Sequence, residues 1–419
     1  MRKISIIGAG QAGLILALAL LQKGYTPTLY SDRTADQWLN ESRPTGTAYL
    51  FAETIDIERA LGIDYWSATM FTGEGLHTHV AQPGGGPPMT IAARTPRPGA
   101  AVDQRLKFHA WMNTFEARGG KLVIEAVTPT RADEIAAASD LTVLAAGKAD
   151  LGKLVPRDVA RSVYDKPVRR LAMAIVRNTR DWSEEVGFRA VKFSSLGPPF
   201  GDVFFVPYTH KTAGATWCPL VEALPGGPLD IFADAASGHD VVERLRTFAR
   251  DHMPWDYDII KDMEYVAEDP LAWLTGAFPP TVREAYGTLP SGALLMPIGD
   301  TAITFDPVGG QGGNSASWNA RFVADAIIAR DRHPFDAAWM SGVRDGYWNA
   351  RGKHAYAFNN MFLEPPTPAF MELMKAAAGS RRTADRLFGA NVPMPQNFFP
   401  WITDLGQTLA RIRAAEDTA

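Results

Sequence analysis

The feature that most constrains this chain lies at its start. A short apolar run, Ile4 to Ile7, leads into the loop Gly8-Ala9-Gly10-Gln11-Ala12-Gly13, and a stretch of helix formers from Leu14 to Leu21 closes at Gly24. Thr26 to Tyr30 then reads as a second strand ending in Ser31-Asp32-Arg33. Strand, glycine loop, helix and strand in this order make a βαβ unit. In it Gly8 permits the tight turn, Gly10 lets the backbone approach a pyrophosphate, and Gly13 lets helix and strand pack closely. The helix N-terminus, with Gln11 and Ala12 in its first turn, offers N–H groups and partial positive charge to phosphates. Asp32 stands where an acid accepts ribose hydroxyls, with Ser31 a poorer substitute and Arg33 adjoining it. A glycine-rich turn with no ligand is the plain alternative.

The rest of the chain narrows the ligand. At 419 residues it is long enough for two or three structural units, and its net charge of −4 is spread along the sequence. No broad electrostatic attraction for nucleic acid or anionic lipid is expected, so small molecules are the expected partners. The single cysteine, Cys218, allows no intrachain disulfide and reads as a small buried hydrophobe beside Trp217. There is no apolar run of about 18 residues, and the N-terminus reads better as a strand than as a signal peptide, so a soluble, cytoplasmic protein is expected.

Further along, Pro83 to Pro98 is crowded with glycine and proline and is expected to break regular structure. Arg105 to Arg118 reads as a helix, Lys121 to Ile124 as the strand after it, and Asp140 to Gly147 as a buried strand leaving at a glycine. Between Phe188 and Leu224, alternating and aromatic segments such as Val203 to Tyr208 and Ala215 to Trp217 predict antiparallel strands. Leu294 to Asp300 returns to the buried-strand type, Ser315 to Arg330 has helical spacing, and the chain from Phe335 onward reads as mostly helical.

The glycine loop alone does not separate FAD from NAD. Gly299-Asp300 at a strand end is followed by Asp306-Pro307-Val308-Gly309-Gly310-Gln311-Gly312-Gly313-Asn314 and a helix. A carboxylate there can take a ribityl hydroxyl, and glycines entering a helix let N–H groups face the flavin pyrimidine. These residues resemble the second FAD motif of aromatic-hydroxylase flavoproteins. Ala101 to Leu106, Glu116 to Lys121, and Gly147-Lys148 with Leu151-Gly152-Lys153 narrow the match. They resemble the oxygenase component of two-component (group E) styrene and indole monooxygenases, over roughly residues 1 to 360.

The resemblance implies an α/β fold: a Rossmann-like FAD-binding domain of the aromatic-hydroxylase, glutathione-reductase-like type, with an inserted β-rich substrate domain and C-terminal helices. The boundaries expected are 1–75, 98–160 and 286–335 for the discontinuous FAD domain, 76–97 and 161–285 for the substrate domain, and 336–419 for the helical region. It also implies FAD arriving reduced from a separate NADH-dependent flavin reductase, O2 as co-substrate, a C4a-hydroperoxyflavin as oxidant, and a possible homodimer. Ala146-Gly147 stands where single-component hydroxylases carry Asp-Gly, and no second GxGxxG exists for a nicotinamide; both agree with a separate reductase. Arg43 and Arg105 match family positions near FAD. The substrate implied is a small hydrophobic aromatic, an aryl alkene such as styrene, or indole.

The segment Gly46-Thr47-Ala48-Tyr49-Leu50 is expected to face the flavin, and Gly46, Ala48 and Leu50, with Gly73 and Leu76, match neither styrene-type nor indole-type members. Loss of polar groups at Gly46, Leu50 and Leu76 predicts a roomier, more apolar pocket, which Phe204, Trp217 and Phe305 could line, although plain core is the favoured reading of each. His77 and His79 alternate as metal ligands can, but no third ligand accompanies them in sequence, and no metal is expected. Two other readings stay open: a self-sufficient NAD(P)H-dependent aromatic hydroxylase, and a non-catalytic carrier like the prenyl-binding GDP-dissociation inhibitors.

Overall fold

A computed structural model describes residues 2–148 and 150–417, so the outermost limits of the expected domains, 1 and 418–419, lie outside the described residues. The strand Ile4–Ile7 is buried along its whole length and pairs in parallel with Thr28–Ser31 on one side and Leu141–Leu144 on the other. Lys121–Ile124 and Leu294–Pro297 extend this sheet in parallel at its two sides, and Gly287–Thr288 adds an antiparallel edge. The central strands Ile4–Ile7 and Leu141–Leu144 are buried on both faces and read as continuous apolar runs, which is why they were visible in the sequence.

The helix Gln11–Gln22 is buried from Gln11 to Leu20, because it lies between the sheet and a second helix, Gly312–Arg330. An all-apolar helix needs such cover on every side. Both helices therefore start at the same end of the sheet. Gly24, at φ +82°, ends the first, where a left-handed residue lets the chain reverse.

The second layer is a nine-stranded sheet built largely from residues 72–102 and 170–276. Gly201–His210 pairs antiparallel with Gly214–Ala223 and with Ala190–Gly197, and the latter runs parallel to Thr72–Val80. The helices Gly238–His252 and Pro254–Ile260 cover one face, with Val241, Leu245, Phe248 and Ile260 in the shared core.

One expectation for the region between is corrected. Met89–Val102 is a single strand running through Pro96 and Pro98, paired with Thr72–Val80. The register steps from Gly75 opposite Arg94 to Gly73 opposite Gly99, so Thr95 to Pro98 bulge outward against Glu74. The prolines sit where the ladder asks for no N–H, and that is how they are tolerated. Only the glycine-rich piece before Met89 is a turn.

The C-terminal helices divide between two cores. Met340 and Val343 of Ala337–Tyr347 join the core around Leu14 and Val323. Phe358, Phe370, Leu373, Phe388, Phe398 and Trp401 join the core of the nine-stranded sheet.

Candidate active site

Between the two sheets runs one cavity of about 930 Å³. Its near end is built by the glycine loop. A Cβ on Gly8, which sits at φ +114°, would lie 2.3 Å from the Ala145 carbonyl oxygen, and one on Gly13 would lie 1.9 Å from the Gly8 oxygen. A side chain is thus excluded at both places by backbone. Gly10 differs: its missing Cβ meets nothing within 4 Å, and it lines the cavity with Gly8, Gln11, Ala12, Asp32 and Arg33. The loop therefore leaves open space directly over the first turn of the helix Gln11–Gln22, where backbone N–H groups lack intrahelical partners. A dinucleotide pyrophosphate fits that cradle.

Ser31 does not reach the cavity. Its hydroxyl donates to the Arg33 carbonyl at 2.6 Å, which shapes the turn that presents Asp32. Asp32 and Arg33 pair with each other at 2.6 Å across half-exposed side chains. On the opposite wall are Ala146, Gly147 and Lys148. The Lys148 ammonium lies 3.6 Å from the Asp300 carboxylate and 3.8 Å from the centroid of Phe278.

The middle of the cavity is formed by Gly46, Thr47, Ala48 and Tyr49 facing Asp300, Pro307, Gly309, Gly310, Gly312 and Gly313. The segment is held by Asn314, whose side chain accepts from Phe51 N–H at 3.0 Å and donates to the Tyr49 carbonyl at 2.9 Å. Ala48 takes φ +37°, a conformation costly for a residue with a Cβ. Gly309 and Gly310 N–H are already engaged, by Asn359 Oδ1 at 3.0 Å and by the Pro307 carbonyl at 2.8 Å. The donors left for a ligand belong to the first turn of Gly312–Arg330 instead. Gln311 turns away to the Val392 and Gly309 carbonyls, and Gly299 packs against Ala12 behind the wall.

Three placements correct the sequence expectations. Leu50 does not face the cavity: its backbone bridges to Ala100 at 2.8 and 3.0 Å, and its side chain enters a small core with Ile55. Arg105 is fully buried and paired with Asp103 and Asp269, each at 2.7 Å, with a further bond to the Ser42 carbonyl. Arg43 lies outside the lining, its guanidinium stacked 4.2 Å from Trp273 and bonded to that residue's carbonyl. Trp217 is likewise core, against Trp182 and Phe71.

The far end is apolar. Leu76, Met173, Phe193, Phe204, Phe358 and Phe388 are among its walls, with Phe305 where it meets the middle. Two features around the cavity escaped sequence reasoning. Asp306, at the cavity wall, adjoins Glu222 and Asp202 from the nine-stranded sheet, with Arg169 pairing Asp202 at 3.4 Å. Burial raises the Asp306 carboxyl, lifts Asp202 to about 6, and pushes Glu222 well above the usual range. The second is Glu185, which reaches both His77 and His79, so the expectation that this pair lacks a third ligating neighbour is corrected.

Comparison with known proteins agrees with this geometry. Residues 147–258 match the family described as "Styrene monooxygenase A putative substrate binding domain". The styrene monooxygenase StyA of Pseudomonas fluorescens is 31% identical over 336 residues, covering 78% of each chain. The chain belongs to the StyA styrene monooxygenase family. A StyA from another Pseudomonas strain matches over the same length and at the same identity. The fold is shared more widely. A Cytophaga hutchinsonii flavoprotein superimposes with a TM-score of 0.67 at 13% identity, over 99% of this chain and 100% of its own. The flavin-dependent brominase Bmp2 gives 0.64 at 14%, over 94% and 97%. The protein is a flavin-dependent monooxygenase, and its α/β fold with an inserted β-rich layer is the one expected.

Proposed function

We propose that the protein is the oxygenase component of a two-component system, taking reduced FAD from a separate NADH-dependent flavin reductase and oxygenating styrene, indole or a related apolar aromatic. The observation that carries this reading is the continuity of the cavity from the glycine loop to a far end walled by Leu76, Met173, Phe193, Phe204, Phe358 and Phe388. In this reading the first turn of Gln11–Gln22 and Gly10 hold the pyrophosphate, and Asp32 accepts from the adenosine ribose. Asp300 takes a ribityl hydroxyl, and the N–H groups of Gly312 and Gly313 face the pyrimidine edge of the flavin.

The chemistry supplied by reduced FAD, when bound, is activation of O2 and delivery of one oxygen atom to an electron-rich double bond. This chain's residues bind, orient and exclude water. Phe305, Phe204 and Leu76 enclose the substrate without offering it a charge, so a flat uncharged ring system is favoured over an acid or amine. The homodimer, and a reductase that delivers flavin by transient contact or by diffusion, belong to the same family-based reading.

The test is to supply reduced FAD from a generic reductase with O2 and to assay styrene, indole and aryl sulfides. Oxygenated product from at least one is expected; turnover of none removes the substrate class. Stopped-flow mixing with NADH or NADPH should leave the bound flavin oxidised, and rapid reduction without a partner would overturn the two-component part.

A further inference from the structure

The strand Thr72–Val80 has two faces. Leu76 and Thr78 line the cavity, while His77 and His79 point the other way and are almost completely buried. Their Nε2 atoms are 3.2 Å apart, and both converge on one oxygen, Glu185 Oε1, at 3.4 Å from His77 and 2.9 Å from His79. Glu185 sits in the short turn Ser183–Val186, and its side chain is 40% exposed.

Hydrogen bonds cannot satisfy this triangle fully. With a proton on both Nε2 atoms, two N–H groups face each other; with a proton on one, the other nitrogen's lone pair faces the carboxylate oxygen. A cation at the centre satisfies all three. The separations suit one: an ion placed about 2.05 Å from each donor sits roughly 0.9 Å out of their plane, close to a tetrahedral arrangement with its fourth position open. Glu185 is the exposed member, so that fourth position has access to water.

The surroundings favour the bound form. His79 Nδ1 has no hydrogen-bond partner within bonding distance, but lies 3.6 Å from Asp256 Oδ1. A carboxylate behind a ligating imidazole is the usual outer support of a metal-bound histidine. Asp256 is also held by Trp182 Nε1 at 2.9 Å, by the Ser194 hydroxyl and by the Lys192 ammonium at 3.3 Å. Lys192 offsets one of the two carboxylates, leaving one net negative charge beside two imidazoles.

We propose that His77, His79 and Glu185 form a binding site for a divalent transition metal, with Zn2+ the best match to two imidazoles and a carboxylate. The ion would tie the strand Thr72–Val80 to the turn Ser183–Val186 from the face opposite the cavity, and so brace the wall that carries Leu76 and Thr78. It takes no part in oxygen transfer and does not depend on the substrate proposed above.

Tag-free, chelator-stripped full-length protein is titrated with ZnCl2 by calorimetry and with Co2+ by visible absorption. One ion per chain is expected, with the intense bands of four-coordinate Co2+ and a melting temperature raised by a few degrees at saturation. Glu185→Gln, at a half-exposed position where folding is retained, should weaken binding at least tenfold while leaving FAD binding unchanged. His79→Gln should abolish it, and His252→Gln, whose ring packs against Phe200 and Phe248 and not against the triangle, should change nothing. No stoichiometric site, or one that survives Glu185→Gln at full affinity, overturns the proposal, whether or not His79→Gln folds.

Discussion

At the scale of single residues, the glycine loop separates two kinds of constraint that a motif treats alike. At Gly13 an added methyl would meet the Gly8 carbonyl, whereas at Gly10 it would meet open cavity. Gly13→Ala should therefore cost stability, on the order of 2 kcal/mol or more from forced backbone shifts. Gly10→Val should fold with an unchanged melting temperature in the absence of flavin, yet bind FAD at least tenfold more weakly. Equilibrium dialysis against FAD, with thermal melts of both variants, checks the pair; equal FAD affinity in wild type and Gly10→Val would remove the pyrophosphate from this loop. Glu222 carries a different expectation. A buried carboxyl whose proton is held more tightly in the fold than in the unfolded chain contributes stability that is complete below its unfolded pKa and is lost as pH rises through its folded one. Asp202, lifted to about 6, acts in the same direction. Glu222→Gln removes the larger of the two effects, so its melting temperature should exceed the wild type's by more than about 2 °C at pH 8, with the gap closing toward pH 4. Parallel melting curves across that range would mean that Glu222 titrates normally.

At the scale of elements, what was legible in the sequence followed the range of the interactions responsible. The first strand, its helix and Asp32 are set by neighbours within one βαβ unit, so spacing alone placed them. Phe305 and Leu76 fell on the cavity wall as expected. Leu50 did not, because its direction is decided by a bridge to Ala100, a partner fifty residues away that no local pattern announces. Glu185 and Glu222 were invisible for the same reason: each acquires its neighbours only when the strands 72–80, 190–197 and 214–223 come together. Arg105 is the instructive case. It matches a family motif, yet it sits at the start of Gln104–Ala117 among Asp103, Asp269 and His210, tying that helix to the nine-stranded sheet. Although burial opposes it, bonds from His210 and Arg105 hold the Asp269 carboxyl well below the usual range. Arg105→Met should thus destabilise the fold by about 3–5 kcal/mol through the two carboxylates left behind. At a temperature where the variant remains folded, its FAD affinity should stay within about threefold of wild type. A Kd that rises a hundredfold with little change in melting temperature would restore Arg105 as a flavin ligand.

At the scale of the whole molecule, the cavity exists because two sheets with separate cores are joined along one seam, and the C-terminal helices close it. Phe358, Phe362, Phe388 and Val392 of that last region line the far end, while Met340 and Val343 anchor the same region to the FAD side. In the proposed reading flavin and substrate occupy different ends of one space, walled by residues distant in sequence, so the two ends should respond to perturbation separately. Leu76 projects from the nine-stranded sheet into the far end, and the strand that carries it contributes no residue to the glycine-loop end. Leu76→Trp adds bulk of the order of an aromatic ring there. The variant should bind FAD as tightly as the wild type and lose at least tenfold in kcat/KM for styrene. The electrons supplied should appear as hydrogen peroxide rather than product, because an unoccupied substrate site leaves reduced flavin to react with O2 alone. Measuring NADH consumed, peroxide formed and styrene oxide formed in the same reaction distinguishes the cases. Unchanged coupling with styrene would place the substrate elsewhere, and a parallel loss of FAD affinity would mean that the two ends are not independent.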